Sequence, residues 1–183
     1  MSPSEHALPT LVGEGFEVRP AHPGEIETLV ESITSDPVAS PWWGSDPDIV
    51  LRWFAEDDVR VLVIAATDKL VGLITYTEEE DPDYHSAGID IGLLSDSVGR
   101  GVGSAALRLL ARWLFDSRGH HRLTIDPAVA NERAVRAYHR VGFKTIGVAR
   151  EYERGDDGSW HDNLLMDMLA DDLVDSEPER PDA

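Results

Sequence analysis

The sequence predicts one α/β domain in which a mixed β-sheet carries helices on its faces. Its 183 residues are enough for a single hydrophobic core. The first half contains β-branched runs separated by turn residues, a pattern typical of antiparallel strands. The second half follows the order strand, turn, helix, strand, helix, which indicates a parallel strand pair joined by a helix.

The first half is predicted to contain two helices and four strands. Residues 23–35 carry apolar side chains at helical spacing, namely Ile26, Leu29, Val30 and Ile33. A turn-rich stretch over 36–44 follows, and Pro47 suits the first turn of a second helix over 47–54. Strands are predicted at 15–19, 59–66, 70–76 and 86–94, the middle two joined as a hairpin through Thr67-Asp68-Lys69.

The second half is predicted to contain two helices and three strands. A helix over 104–115 presents one apolar face, formed by Leu107, Leu110, Ala111 and Leu114. Another over 131–141 begins with Asn131, a favourable capping residue, and is stopped by Gly142. Strands are predicted at 121–125, 143–148 and 163–169, the last two separated by the turn Gly155-Asp156-Asp157-Gly158.

The two ends of the chain are polar and have no sustained period. Residues 1–12 are therefore predicted to be a flexible N-terminus and residues 171–183 an acidic, disordered tail. The domain is predicted to span residues 13–170.

The composition excludes several functions. With 16 basic and 35 acidic residues, the net charge is −19, which repels phosphate backbones and anionic lipids. We therefore expect no nucleic-acid or membrane partner. The absence of cysteine excludes disulfides, thiolate metal sites and a cysteine nucleophile, and it fits a reducing cytoplasm. Without a long apolar run, a signal-peptide pattern or histidines at metal-ligand spacing, we expect a cytoplasmic, metal-free protein, monomeric or homodimeric.

A glycine-rich turn before the helix 104–115 is the first candidate binding site. Val98-Gly99-Arg100-Gly101-Val102-Gly103-Ser104 has glycine at alternate positions, which lets the backbone approach a ligand closely. The unpaired N–H groups and the helix dipole favour a diphosphate. Two other interpretations stay open: a turn without a ligand, and a dinucleotide turn, since Gly101 to Ala106 matches G-x-G-x-x-A and Asp126 ends the next strand. The antiparallel pattern before the turn weighs against the dinucleotide.

A second motif follows the strand 121–125. Its spacing, N-x-x-A-x-x-x-Y-x-x-x-G-F, is formed by Asn131, Ala134, Tyr138, Gly142 and Phe143. Asn131 can cap the helix and offer an amide to an extended ligand, and Ala134 leaves room beside Tyr138 on the same helical face. A capped helix with Tyr138 buried in the core is the alternative.

Together the two motifs resemble the GNAT superfamily of N-acetyltransferases. The turn is similar to the family's diphosphate loop, R/Q-x-x-G-x-G/A, with Val98 in place of the usual Gln or Arg. The resemblance implies a mostly antiparallel sheet whose fourth and fifth strands, here 86–94 and 121–125, splay apart. It implies acetyl-coenzyme A (acetyl-CoA) as the donor, held by Ile91, Leu93, Val98, Gly99, Arg100, Gly101, Val102, Gly103, Ser104, Asn131, Ala134 and Tyr138.

A narrower resemblance points to aminoglycoside 6′-N-acetyltransferases. It depends on Trp42-Trp43-Gly44, Gly88-Ile89-Asp90, Asp126-Pro127 and Asn131-Glu132-Arg133-Ala134. It implies a cationic amine, an aminoglycoside, as the acceptor, bound by Trp42, Trp43, Tyr76, Glu78, Asp90 and Asp126. The loop 77–86 is shorter than in the best-known members, however, and the hairpin 151–162 looks like GNATs that acetylate protein N-termini or other small amines.

The resemblance also implies the catalytic roles. Asp90 is expected to act as the base or to position the amine, with Asp126 as the second candidate. The backbone N–H of Ile91 would polarise the thioester oxygen, and Tyr138 would protonate the departing thiolate. With no cysteine and no serine in a nucleophile elbow, we expect direct transfer in a ternary complex.

Three other functions remain open at this point. The first is a GNAT enzyme that acetylates a protein N-terminus or a small metabolite. The second is a non-catalytic GNAT-like module that binds acyl-CoA. The third is a nicotinamide-dependent enzyme that uses the glycine turn for a dinucleotide.

Overall fold

The computed structural model describes residues 8–56, 58–67 and 69–175. Its strands are β1 Leu11–Gly13, β2 Phe16–Arg19, β3 Val59–Ala66, β4 Leu70–Glu79, β5 Ser86–Leu93, β6 Arg122–Ile125, β7 Lys144–Arg154 and β8 Trp160–Leu169. Its helices are α1 Glu25–Ser35, α2 Ser40–Trp43, α3 Pro47–Ala55, α4 Val102–Asp116 and α5 Glu132–Val141.

All eight strands form one mixed sheet, which confirms the predicted class. Their order is β1-β2-β3-β4-β5-β6-β8-β7. Neighbours from β1 to β5 are antiparallel, β5 and β6 are parallel, and β8 is antiparallel to both β6 and β7. The parallel pair is formed where α4 carries the chain back between β5 and β6, as the order of the predicted elements requires.

The hydrophobic core lies on both faces of the sheet. On one face α4 buries the four apolar side chains that predicted it, Leu107, Leu110, Ala111 and Leu114, and α5 adds Tyr138 and Val141 to the same cluster. On the other face α1 buries Leu29 and Ile33 against Val63 of β3 and Leu73 of β4. Helix α1 therefore covers one face of the sheet, and α4 and α5 cover the other. Each helix buries a single apolar stripe against the strands.

Strands β5 and β6 stay together over only three residue pairs. The pairs run from Ser86↔Arg122 to Gly88↔Thr124. Beyond that point β5 continues to Leu93 beside β4, whereas β6 ends at Ile125. The two strands thus separate, as the resemblance implied, and the gap between them positions the site.

The ends of the domain differ from the prediction. Leu11–Gly13 forms β1, paired with β2, although residues 1–12 were predicted to be flexible. Three residues are too few to show a period, and the strand is held by tertiary contact. Residues 171–175 are likewise attached: Val174 N–H donates to the Val141 carbonyl at 2.9 Å, and Arg108 Nε donates to the Val174 carbonyl at 2.7 Å. The remainder of both predicted ends, residues 1–7 and 176–183, lies outside the described residues.

The predicted turn over 36–44 contains a short helix, α2. Asp36 Oδ1 accepts hydrogen bonds from the N–H groups of Val38 and Ala39, which winds the chain into a helical turn. Asp36 Oδ2 accepts a third hydrogen bond from Ser95 N–H, after β5. Because α2 has only four residues, it is too short to show a helical period in the sequence.

Candidate active site

A cleft of about 1260 Å³ opens where β5 and β6 separate. The strand β5 forms its floor, the start of α4 and the inner face of α5 form one end, and α2 with the β7–β8 hairpin forms the other. We call these the donor half and the acceptor half. The donor half comprises residues 91–104 and 131–138, and the acceptor half comprises residues 38–43 and 153–162, with Asp90 where they meet.

The backbone of β5 presents N–H groups to the cleft. Leu94 N–H, just after β5, donates to the Val71 carbonyl of β4. Backbone groups alternate along an antiparallel strand, so those of Ile91 and Leu93 point away from β4. That side is the cleft, because β6 has already diverged. Both N–H groups are thus available to a ligand lying along β5.

The glycine turn ends in a helix whose first N–H groups have no described side-chain cap. Gly99 has φ 78° and Gly101 has φ 85°, a backbone region that side chains other than glycine rarely occupy. Ala105 N–H makes the first bond within α4, to the Gly101 carbonyl, so the N–H groups of Val102, Gly103 and Ser104 precede that ladder. This arrangement has the geometry that an anion site needs, and the binding of a diphosphate there stays a prediction.

Two close contacts shape the floor of the cleft. A Cβ on Gly103 would lie 2.8 Å from Leu93 Cδ1, so glycine lets α4 start directly over β5. A Cβ on Gly92 would lie 2.6 Å from Trp43 Nε1, so this glycine admits the Trp43 ring against β5. Trp42 also lines the cleft and is 39% exposed. The structure thus brings both tryptophans to the acceptor half.

The structure brings most predicted donor-binding residues to this cleft and places two elsewhere. Those at the cleft are Ile91, Leu93, Val98, Gly99, Gly101, Gly103, Ser104, Asn131, Ala134 and Tyr138. Arg100 and Val102 line a separate, smaller cavity on the other side of the glycine turn. Gly101, between them, borders both cavities, so the Arg100 and Val102 side chains lie on the other side of the turn from the cleft.

Helix α5 carries three predicted residues toward the donor half. Asn131 caps it, its side-chain oxygen accepting a hydrogen bond from Ala134 N–H at 3.2 Å. Tyr138 is 8% exposed and lines the cleft. Burial, and then the negative charges of Asp90 and Asp126, raise the pKa of the Tyr138 phenol. The phenol therefore stays protonated and can donate to a developing negative charge.

Asp90 faces the cleft from the middle of β5. The residue is exposed through the cleft, yet the nearby protein atoms displace much of the water that would otherwise surround its carboxylate. This desolvation, followed by the charges of Asp126 and Glu153, raises the pKa of the Asp90 carboxyl to about 6. At neutral pH the group is ionised, yet it binds a proton more strongly than an ordinary aspartate. That combination suits a general base.

Asp126 lies just after β6, with its carboxylate engaged by another residue. Tyr152 makes a side-chain hydrogen bond to it, which lowers the pKa of Asp126, but burial outweighs that bond and the pKa is raised overall. Asp126 is half-buried and is near enough to Asp90 to influence its pKa, but it is not among the residues that line the cleft. The structure therefore brings the two predicted carboxylates together and gives only Asp90 direct access to the cleft.

Glu153 is a carboxylate on the wall of the acceptor half that was not predicted from the sequence. It belongs to β7, which extends six residues beyond the predicted strand 143–148. The pairing of β7 with β8 shifts register between Ala149 and Glu153, which indicates a bulge. The hairpin 151–162 was noted in the sequence, but no local pattern distinguished Glu153 from the acidic residues around it.

The tip of the same hairpin is tied across the cleft to the segment after α2. Asp156 Oδ2 accepts hydrogen bonds from Ser45 N–H at 2.9 Å and from Ser45 Oγ at 2.7 Å. Asp156, Asp157 and Trp160 line the cleft beside Trp42. The Ser45–Asp156 contact therefore joins the two segments that make up the acceptor half.

Tyr76 and Glu78 do not reach the cleft, which corrects their predicted role in acceptor binding. They lie opposite Ile89 and Ala87 in the β4–β5 register, so they share the α4 face of the sheet rather than the face of Asp90. Tyr76 packs edge-on against Trp113. Glu78 accepts hydrogen bonds from Arg118 Nε and His120 Nε2, both at 2.8 Å. Although burial opposes them, these bonds lower the pKa of Glu78 to about 2.

Residues 8–56, 58–67 and 69–175 contain neither a metal-binding cluster nor a helix that could span a membrane. No three or more His, Asp or Glu side chains lie close enough together there to hold a metal ion. None of the helices in that part of the chain has the length and apolar character needed to cross a bilayer.

The sequence profile of the Acetyltransferase (GNAT) family matches residues 26–143. Two curated relatives align over 70 residues, 38% of this chain, at 36% identity. One is the kanamycin resistance protein of Rhizobium radiobacter, of which 65% is covered, and the other is the aminoglycoside N(6′)-acetyltransferase type 1 of Klebsiella pneumoniae, of which 35% is covered. The chain thus spans between about a third and two thirds of the length of these relatives.

Solved structures show the same fold over nearly the whole chain. RimJ from Mycobacterium smegmatis in complex with CoA-disulfide is 23% identical with a TM-score of 0.77, covering 93% of this chain and 90% of that one. A ribosomal-protein-S5-alanine acetyltransferase from Vibrio fischeri is 19% identical with a TM-score of 0.75, covering 91% and 99%. At these identities the similarity establishes the fold alone.

Proposed function

The chain belongs to the acetyltransferase (GNAT) family, and we propose that it transfers an acetyl group from acetyl-CoA to the 6′-amine of an aminoglycoside. Acetyl transfer from acetyl-CoA is the activity of this family. The aminoglycoside is the proposed part, and with it a role in antibiotic resistance. The observation that carries it is the cleft itself, where Asp90 lies on the floor between two tryptophans and the acidic β7–β8 hairpin.

The donor half has the features that acetyl-CoA requires. The N–H groups of Val102, Gly103 and Ser104 at the start of α4 can donate hydrogen bonds to the diphosphate of acetyl-CoA. The N–H groups of Ile91 and Leu93 can donate hydrogen bonds to the extended part of acetyl-CoA between its diphosphate and its thioester. Asn131 and Ala134 form the facing wall of the cleft. When bound, acetyl-CoA supplies the acetyl thioester that is the acyl donor.

Asp90 is the proposed base. An alkyl ammonium has a pKa of about 10, so the acceptor arrives as a cation and must lose a proton before its nitrogen can attack. The Asp90 carboxylate attracts this cation and takes the proton, aided by a pKa raised to about 6. Asp126 is the alternative base, although its hydrogen bond with Tyr152 occupies part of its carboxylate.

Two further groups of the chain act on the acetyl thioester: one on its carbonyl oxygen and one on the thiolate that leaves. The Ile91 N–H, directed into the cleft, would stabilise negative charge on the carbonyl oxygen. Tyr138 holds a proton on its phenol oxygen and donates it where the thiolate leaves, as its raised pKa permits. The chain has no cysteine to carry the acetyl group, so we propose direct transfer between the two bound substrates.

The acceptor half is suited to a polycationic sugar. Trp42 and Trp43 offer flat apolar faces, and Glu153, Asp156 and Asp157 offer negative charge beside them. Two relatives named for aminoglycoside acetylation and kanamycin resistance support this acceptor over their 70 aligned residues. A GNAT that acetylates a protein N-terminus or a small amine is the second candidate, favoured by the hairpin 151–162.

A panel assay tests the proposal. Purified protein is incubated with acetyl-CoA and, separately, kanamycin, spermidine and peptides with a free N-terminus, and thiol release is measured. We expect kanamycin to be acetylated with kcat/KM at least about tenfold above the other acceptors, a margin of about 1.4 kcal/mol. The acetylated position is then mapped by NMR. If only the peptides are acetylated, the proposed aminoglycoside acceptor is wrong and the acceptor is a protein N-terminus.

A further inference from the structure

Glu153 is placed in the cleft by an unusual stretch of backbone in β7. Glu151 has φ 50°, the one positive value at a non-glycine position in the part of the chain that the structure describes. The Glu151 N–H donates to Asp162 Oδ1 at 2.8 Å, which holds this conformation. A positive φ at a residue other than glycine is strained, and a bulge changes the direction in which the following side chains point. Both features are frequent at functional sites.

The bulge gives the two residues that follow it different partners. The Tyr152 side chain turns to the Asp126 carboxylate. The Glu153 side chain lines the cleft, and its charge contributes to the raised pKa of Asp90. Two carboxylates that face one solvent-filled cleft repel each other, and a cation between or beside them relieves that repulsion.

Glu153 is also held in position by a buried side chain. Asn163 is 4% exposed, and its Nδ2 donates both to the Asp126 carbonyl at 2.8 Å and to Glu153 Oε2 at 3.4 Å. One amide thus fixes Glu153 relative to the segment that follows β6. Asn163 Oδ1 is buried and has no hydrogen-bond partner among the described residues, so the hydrogen bonds of this amide are those that its nitrogen makes to Asp126 and Glu153.

We propose that Glu153 is the acceptor-anchoring carboxylate: it binds a second cationic group of the acceptor while Asp90 takes the proton of the reacting amine. This inference rests on the proposed amine acetylation and goes beyond it, because it selects acceptors with two cationic centres. It also reassigns Asp126. With Tyr152 on its carboxylate, Asp126 acts as a fixed negative charge behind Asp90 rather than as a ligand of the acceptor.

The experiment measures binding, so it does not depend on which amine is the true acceptor. The coenzyme A complex is titrated by calorimetry with α,ω-diamines of three to six carbons and with the monoamines of the same length. Wild-type protein, Glu153→Gln and Asp126→Asn are compared. Glu80→Gln is the matched control, since it removes the same charge from an exposed side chain that does not line the cleft.

We expect wild-type protein to bind at least one diamine about tenfold more tightly than its monoamine, the effect of one charge-assisted hydrogen bond. Glu153→Gln should reduce this preference to about threefold or less, and Glu80→Gln should retain it. Failure of the wild type to prefer diamines, or retention of the preference in Glu153→Gln, would overturn the proposal. Loss of the preference in Asp126→Asn instead would return the anchoring role to Asp126.

The outcome is separable from that of the proposed function. If kanamycin is not acetylated but the diamine preference exists and depends on Glu153, the acceptor is another polyamine and the role of Glu153 stands. If kanamycin is acetylated and Glu153→Gln changes neither its KM nor the diamine preference, the function stands and the role of Glu153 is rejected.

Discussion

The donor and acceptor halves of the cleft are built in different ways. In the donor half, one glycine turn and one helix start present main-chain N–H groups, and one short motif supplies Asn131, Ala134 and Tyr138. In the acceptor half, side chains from distant segments meet. Ser45 and Asp156, 111 positions apart, form hydrogen bonds across it, and Trp43 packs on Gly92.

This difference explains why the donor is easier to identify than the acceptor. Main-chain groups bind a diphosphate whatever the neighbouring side chains are, so a short local motif is enough to specify the donor. The acceptor is selected by side-chain charge and shape, which depend on how the β7–β8 hairpin and α2 are placed. The predictions below separate the two halves, beginning with the residue where they meet.

Asp90→Asn should have the largest effect. Loss of the base should reduce kcat by about 10²- to 10⁴-fold, while the Kd for acetyl-CoA remains unchanged, because the donor half is intact. The same substitution should raise the Tm, because the ionised carboxylate, whose pKa is raised in the folded state, no longer destabilises that state at neutral pH. Asp126→Asn serves as the comparison, and a greater loss of kcat there would make Asp126 the base.

Gly101→Val should break the donor half alone. At φ 85° a β-branched residue is strained, and the helix-start N–H groups would be displaced. We expect the Kd for acetyl-CoA to rise about 100-fold, with binding of kanamycin to the free protein unaffected. Gly147→Ala is the control, since Gly147 has no positive φ and its Cβ would meet nothing within 4 Å. An unchanged Kd for acetyl-CoA in Gly101→Val would locate the diphosphate elsewhere.

The pH dependence should report on Asp90. The group must be ionised to accept a proton, so kcat/KM should fall about tenfold per pH unit below its pKa of about 6. Burial, and then the negative charges of Asp126 and Glu153, keep the pKa of Asp90 high, while the neighbouring Tyr138 phenol stays protonated and adds no charge. A measured midpoint near 4, the value of an ordinary aspartate, would contradict the desolvated setting of the base.

Ser45→Ala should have the smallest effect and should be confined to the acceptor half. It removes the hydrogen bond of 2.7 Å from Ser45 Oγ to Asp156 but leaves the one from the backbone N–H. Because the contact is exposed, we expect the KM for the acceptor to rise about threefold, with the KM for acetyl-CoA unchanged. A change in the KM for acetyl-CoA would show that the two halves are coupled.

The fold could be predicted from the sequence wherever an element carries its own period or cap. The apolar stripe of α4, the Asn131 cap of α5 and the β3–β4 hairpin are local features, and each was found within a few residues of its bounds. The elements that were missed depend on contacts elsewhere. The strand β1 needs β2, α2 needs Ser95 to hold Asp36, and residues 171–175 need Arg108 and Val141.

For the site, the sequence by itself predicted the donor loop, Asn131, Tyr138 and Asp90, and the structure places all of them at one cleft. These residues lie in contiguous motifs whose spacing already implies main-chain N–H groups, a helix cap and a carboxylate within a strand. Only the tertiary structure decided which face each strand residue takes. It assigned Tyr76 and Glu78 to the face opposite Asp90, and a bulge brought Glu153 into the cleft. The physical reason is that strand side chains alternate between faces, so one register shift moves a charge from solvent to the site, and no local pattern records that shift.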